Sequence, residues 1–318
     1  MTVSQRVILL SALNVLLLLS LALGLTAPSR TRVDERPLVA ADAGTVVSLS
    51  IETQLETVEL VRDERWEIVV DDRRLPARFD RIELMLDDLV SARLISRVTE
   101  DPAQHERLGV AGPEARRLTV RTGTGERSFV VGAASAPAGT LFLRHAGDPV
   151  VWLARSAADF YLRQSSSFWA YLRLYPEDVG PVQVVRLSVE TETATFELVR
   201  DALDTWTLLM AGVRRVADRQ AVASLARQVA DLVGRSFYET DAFERLPLTG
   251  RFSFTLADAR SFAGEVRYDG DVHVVKPIGE RLPGDTYSGL LYTVERTVLA
   301  RLFPDPGTLS YAEPLGSR

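Results

Sequence analysis

The sequence predicts an α+β protein: an N-terminal transmembrane helix, then two duplicated modules, each of antiparallel strands packed with one long helix and a shorter one. Three observations carry that expectation. Residues 7–27, VILLSALNVLLLLSLALGLTA, contain no charge. The stretch Leu49–Trp66, LSIETQLETVELVRDERW, returns as Leu187–Trp206, LSVETETATFELVRDALDTW. Around both runs, alternation of apolar and polar residues is broken by one segment of helical periodicity in each copy.

At about 1.5 Å rise per residue, the first segment reaches roughly 31 Å, the depth of a hydrocarbon core. Its ten leucines outweigh Ser11, Asn14 and Ser20 on an insertion scale. A secretory signal cut after Gly24 is the rival reading, and either one exports the body. The domains expected are a membrane anchor with a short cytoplasmic tail at 1–28, a first repeat at 29–175 and a second at 176–318. The location expected is the bacterial cytoplasmic membrane, single-pass, with the body on the extracytoplasmic, periplasmic side.

The repeat recurs at a spacing of 138 residues from Leu49 to Leu187 and of 140 from Trp66 to Trp206. It continues at 140 through Ile82 with Val222, Met85 with Leu225 and Leu89 with Val229. Near the end, VVWLARSAADFYL (150–162) runs parallel to LLYTVERTVLARL (290–302). Two long copies indicate duplication of one folding unit, because a stacked array needs three or more shorter repeats.

Within the first copy, Val46–Glu52, Thr57–Arg62 and Trp66–Val70 alternate as strands with one buried face. Asp80, three residues before Glu83, reads as a helix cap, and Ile82, Met85, Leu86, Leu89, Val90 and Leu94 make the apolar stripe behind it. Strands follow at Arg117–Arg121, Ser128–Val131, Thr140–Arg144 and Val150–Leu153, and a short helix is expected from Ser156. Asp218 opens the matching long helix of the second copy. Pro176, Gly180 and Pro181 mark the join.

Composition narrows the function classes. A formal charge of −6, from 43 acidic and 37 basic residues, offers no field to gather a polyanion, so nucleic acid is not an expected partner. Lys276 is the single lysine and Asn14 the single asparagine, a skew that follows GC-rich coding, so abundant arginine here does not indicate anion recognition. The absence of cysteine excludes disulfides, thiolate chemistry and a lipoprotein anchor.

The opening strand pair, the Trp-centred strand, the capped helix, RLGVAGP (107–113) and VVGAASAPAGTLFLRHAGDPVVWLA (130–154) together resemble domain of unknown function family 4340. The resemblance spans roughly residues 36–302. It implies a membrane-anchored protein working beside an ABC transporter permease and a GldG-like auxiliary subunit, a group first associated with gliding motility. It brings no catalytic residues.

Side chains with chemical potential were weighed against structural roles. His105, His145 and His273 lack ligand spacing and read as surface residues. In YDGDVHV (268–274), Asp269, Asp271 and His273 alternate like ligands on one strand face, but Asp-Gly between alternating runs reads as a hairpin turn. RTGTGERS (121–128) also reads as a turn, and GAASAPAG (132–139), with Ser135, as a loop without a nucleophile elbow. Asp71-Asp72 and Asp87-Asp88 read as solvated surface, since adjacent residues point to different faces. Trp66 and Trp206 read as core beneath each helix. The aromatic cluster SSSFWAYLRLY (165–175) is either a partner surface or a packing clamp, and the clamp is favoured.

No catalytic, cofactor or metal site is therefore expected. The function expected is a non-enzymatic, membrane-anchored accessory of an ABC-type transport or gliding-motility-like system, attached through residues 7–27 and acting by protein contacts. The alternatives are an extracytoplasmic carboxylate-dependent hydrolase and an envelope-polymer binding module.

Overall fold

A computed structural model of the chain describes residues 35–39, 42–132, 136–280, 282 and 289–310. The segment 7–27, and with it the expected anchor, lies outside the described residues, as does Ser135. Packing divides the chain into two compact units, 1–57 with 83–163 and 58–82 with 164–318.

The first copy runs β1 (Arg36–Pro37), β2 (Val46–Glu52), β3 (Thr57–Arg62), β4 (Trp66–Val70), β5 (Arg73–Pro76), α1 (Phe79–Ser91) and β6 (Arg93–Thr99). It continues with β7 (Arg116–Thr122), β8 (Gly125–Val131), β9 (Thr140–His145), β10 (Val151–Arg155) and α2 (Ala158–Leu162). After a single turn, α3 (Ser166–Trp169), the second copy runs β11 (Val184–Thr191), β12 (Thr195–Arg200), β13 (Trp206–Met210), β14 (Val213–Val216) and α4 (Arg219–Ala230). Then come β15 (Ser236–Tyr238), β16 (Leu248–Leu256), β17 (Ser261–Asp269), β18 (Val272–Gly279), β19 (Leu291–Val294) and α5 (Arg296–Leu302).

The first sheet has strand order β1-β6-β10-β9-β8-β7-β2-β3-β4-β5 and the second β14-β13-β12-β11-β16-β17-β18-β19-β15. With β1 set aside, the two orders are the same, β6 answering to β15, β10 to β19 and β5 to β14. Trp66 and Trp206 open equivalent strands and are 3% and 6% exposed. Over each ring lies a guanidinium from the neighbouring strand, Arg62 at 6.0 Å and Arg200 at 5.7 Å.

The fold class expected from the sequence requires correction. Two sheets of ten and nine strands dominate the described chain, and the two longest helices have 13 and 12 residues. Among the described residues no helix is long and apolar enough to cross a membrane. The sheets grew beyond the expectation because backbone hydrogen bonds recruit short charged strands. Arg73–Pro76 and Val213–Val216 show no alternation, and β14 is exposed at all four positions, yet each pairs along its whole length with the strand before it.

The turns leading into those strands explain an acidic pair. Asp71 and Asp72 hold φ of 49° and 62°, the two left-handed positions of a tight hairpin, where a short polar side chain is tolerated. Ala211 and Gly212 do the same in the second copy, at 48° and 78°.

Each long helix buries most of its expected stripe, although Val90 is half-buried and Leu94 lies beyond α1, in β6. Ile82, Met85, Leu86 and Leu89 of α1 are at most 3% exposed, as are Val222, Leu225 and Val229 of α4. Helix α4 is capped by Asp218, whose carboxylate accepts from the backbone N–H groups of Gln220 and Ala221. Helix α1 departs from the expected cap, since Asp80 lies inside its first turn and accepts from the Arg78 guanidinium instead. In the first unit, Leu108 and Val110 of the RLGVAGP segment pack with Val130 and Val151 in a satellite core, which explains that loop's apolar character.

The aromatic segment after α3 is taken up by packing within the second unit. Ala170 bridges Ala77, Tyr171 N–H donates to Pro76 O at 2.8 Å, and Arg78 N–H donates to Trp169 O at 2.6 Å. Further along, Arg173 bridges Val233, and Leu174 N–H donates to Leu232 O at 3.0 Å. Tyr175 is fully buried, with its ring edge-on to Phe252, Phe254 and Phe262, and its hydroxyl donates to Ala263 O at 2.7 Å. This geometry matches the clamp reading of residues 165–175.

Candidate functional site

The second unit carries an open cleft of about 1540 Å³. Its floor is one end of the sheet, where β17, β18, β19 and β15 lie side by side, and α5 with Phe303 and Pro304 forms a wall. Register sets the polar row on that floor. Tyr268 faces His273 across β17 and β18, and His273 faces Val294 across β18 and β19. Ser236 pairs with Thr293, and Arg235, in the bend just before β15, donates its N–H to the carbonyl of the same Thr293 at 2.8 Å. Directly opposed residues share a face, so Tyr268 and His273 lie side by side, and both line the cleft together with Arg235.

The Tyr268 and His273 rings lie 4.7 Å apart at 34°. His273 Nδ1 is buried without a hydrogen-bond partner. Burial first, and then the Arg296 charge, push this imidazole below its ordinary value, so the ring is neutral at pH 7. Arg235 and Arg296 are exposed at the cleft and have no ion-pair partner among the described residues. Asp271, Glu295 and Asp305 also line it. The Ser236 and Thr293 hydroxyls are bonded to each other at 2.7 Å, which commits them to one another and not to the histidine.

Beside the cleft, a charged network anchors the 243–246 turn. Glu265, 9% exposed, accepts from Arg251 at 3.1 Å and from Arg267 at 2.5 Å. Arg267 donates in turn to the carbonyls of Glu244 and Leu246, and Lys276 donates to the Glu244 carboxylate at 2.7 Å. Burial alone would raise the Glu265 carboxyl, but its two arginine hydrogen bonds prevail and hold it below the ordinary range.

The other residues weighed from sequence are dispersed. His105 is buried, correcting the surface reading, with Nε2 2.9 Å from Pro149 O. His145 is half-buried against Phe129 at 4.8 Å. Asp269 pairs with Val272 across a two-residue turn whose Gly270 has φ of +61°, the hairpin expected there, and Tyr238 donates to the Asp269 carboxylate. Thr122 pairs with Gly125 in the other expected hairpin. Asp87 is exposed. Asp88 is not mere solvated surface: it accepts from the Ser156 hydroxyl at 2.6 Å and from Ala157 N–H at 2.8 Å, tying α1 to the start of α2. Near the join, Glu177 accepts from Tyr171 and Asp178 from Arg260. Among the described residues no group of three or more His, Cys, Asp or Glu side chains is arranged to hold a metal ion.

Sequence reasoning singled out His273 but not Arg235, Arg296 or Thr293. The available signal was comparison of the copies position by position, because no local motif marks these residues.

The model of a family described as "Domain of unknown function (DUF4340)" matches residues 66–258, more than half of the chain. The chain belongs to the DUF4340 family. No curated protein and no solved structure matches it. The DUF4340 match begins at Trp66 in β4 and ends two residues after β16, so it takes in both long helices and portions of both copies. Arg235 and Ser236 fall inside the DUF4340 span, whereas Tyr268, His273, Thr293 and Arg296 lie beyond it.

Proposed function

We propose that the protein is a non-enzymatic accessory of an ABC-type transport or gliding-motility-like system, working on the extracytoplasmic side through protein contacts. The observation that carries the contact reading is the open cleft of the second unit, whose walls mix hydroxyls, charges of both signs and apolar side chains. Such a recess offers hydrogen-bond partners and apolar contact together, as seating a polypeptide segment requires. The hydroxyls and acids most suggestive of chemistry are engaged in structural bonds, Ser236 with Thr293 and Asp88 with Ser156 and Ala157. The link to a permease or GldG-like subunit comes from the family resemblance alone.

The test is site-specific photocrosslinking in cells that make the protein, with the crosslinking residue at Thr193 or Thr249 in the cleft and at Glu126 as a control. The reading expects adducts with a permease or GldG-like protein from the cleft positions only. Adducts absent from both cleft positions, or equal at the control, overturn it.

A further inference from the structure

The two copies have the same strand order, so equivalent positions can be compared within one chain. In the first copy, Ala154 of β10 faces Leu141 of β9 on one side and Leu94 of β6 on the other. That row is closed and apolar, with exposures of 0%, 3% and 6%. In the second copy, Val294 of β19 stands 140 residues after Ala154 and faces His273 of β18, while Gly234, 140 residues after Leu94, is buried. One residue class has been exchanged for another on the same frame. Where the first copy buries Leu141, the second sets His273 at an open cleft, and Arg235, 140 residues after the half-buried Ile95, lines the same cleft. The next equivalence points the same way: Ser156 is bonded to Asp88, but Arg296, 140 residues on, projects into the cleft without an ion-pair partner among the described residues.

Exchanging the buried leucine for an imidazole forfeits burial free energy, roughly 1.5–3 kcal/mol for one large apolar side chain. A duplicated frame that opens at one row in only one copy has the form of a binding site built by divergence. The charge pattern selects the ligand class. Two arginines without an ion-pair partner among the described residues suit a carboxylate, but Asp271, Glu295 and Asp305 on the same cleft repel a polymer charged along its length and suit N–H donors. Thr193 and Thr249 also line the cleft with hydroxyls, and Leu299 with Phe303 supplies apolar contact.

We propose that this cleft binds an extended peptide segment carrying a carboxylate, with Arg235 and Arg296 holding the carboxylate and His273 bonding the peptide beside it. The proposal rests on the protein-contact reading above and names the chemistry of the contact.

The experiment selects short random peptides displayed on phage against the full chain, then measures synthetic versions by fluorescence polarisation. Selected peptides are expected to be rich in Asp, Glu or free carboxyl termini and to lose about tenfold or more in affinity for an Arg235→Ala/Arg296→Ala double variant, since charge-assisted hydrogen bonds are at stake. Both positions are exposed, and unchanged circular dichroism and urea midpoint establish that the variant folds. Arg117→Ala, in the first unit, is the control and should bind as the parent does. With ¹⁵N-histidine labelling, the His273 ring signal should move on peptide addition while those of His105 and His145 stay fixed. Equal affinity of parent and double variant, movement of another histidine instead, failure to select peptides above background, or preference for polyphosphate over peptide overturns the proposal. Photocrosslinks to a transport protein that persist in the double variant would retire the cleft assignment while leaving the protein-contact reading standing.

Discussion

Replacement of Tyr175 probes the aromatic clamp most directly. The Tyr175→Phe variant keeps the ring among Phe252, Phe254 and Phe262, at centroid distances of 6.5, 5.0 and 5.6 Å, and removes only the hydroxyl that donates to Ala263 O at 2.7 Å. Ala263 lies in a strand paired on both sides and is half-buried, so its carbonyl loses the bond from Tyr175 in a partly desolvated site. The cost expected is about 1–2 kcal/mol. The Tyr175→Ala variant also vacates a fully buried ring site, and the cost rises to about 3–5 kcal/mol. Equilibrium unfolding in urea, followed by tryptophan fluorescence, reads both. At a slope of about 3 kcal/mol per molar, the Phe variant lowers the midpoint by roughly 0.5 M and the Ala variant by at least 1 M. Trp169 and Trp206 belong to the second unit and report the transition there. A Tyr175→Ala midpoint within about 0.2 M of the parent would refute the reasoning, because no fully buried aromatic plug can be lost so cheaply.

Three further outcomes are expected. Asp88→Ala severs the bonds from Ser156 and Ala157 and should destabilise the first unit by about 1–3 kcal/mol, read by faster amide exchange through residues 156–162. Gly264→Ala would bring a Cβ to 2.3 Å from the buried Phe252 ring and should cost about 1–3 kcal/mol in thermal unfolding; a neutral result would mean that ring moves freely. The Glu265 carboxyl is depressed in the folded chain, so on acidification the unfolded chain takes up the proton first. Its contribution is full above the ordinary carboxylate range and is lost as pH falls through the lowered folded value. Urea midpoints of the parent should therefore fall more steeply over that acid window than those of Glu265→Gln, and parallel curves would contradict the assigned role.

Much of the strand pattern was legible in the sequence because half-buried strands declare themselves by alternation. Val46–Glu52, Thr57–Arg62 and Trp66–Val70 are observed with the expected bounds. The repeat spacing pointed to equivalent helices, and Asp218 caps the second of them. Strands held by backbone pairing alone were not legible, since Val213-Arg214-Arg215-Val216 carries no one-sided pattern and buries none of its side chains. Asp88 was misread because its partners, Ser156 and Ala157, are distant in sequence. The cleft was hidden for a related reason: its lining is assembled from separate strands and turns, with Arg235, His273 and Val294 far apart in the chain and no local spacing linking them.

The segment from Ala170 to Tyr175 has a practical consequence for anyone dividing the chain. A cut at the prolines near 176 follows the repeat, but a fragment starting there would lack Tyr175 and would expose three phenylalanine rings that this side chain covers. Starting the fragment upstream of Trp169 retains the plug, though the strand end at Pro76 that receives Tyr171 would still be missing. Solubility of separately expressed halves should therefore depend on a few residues that belong by sequence to one copy and by packing to the other.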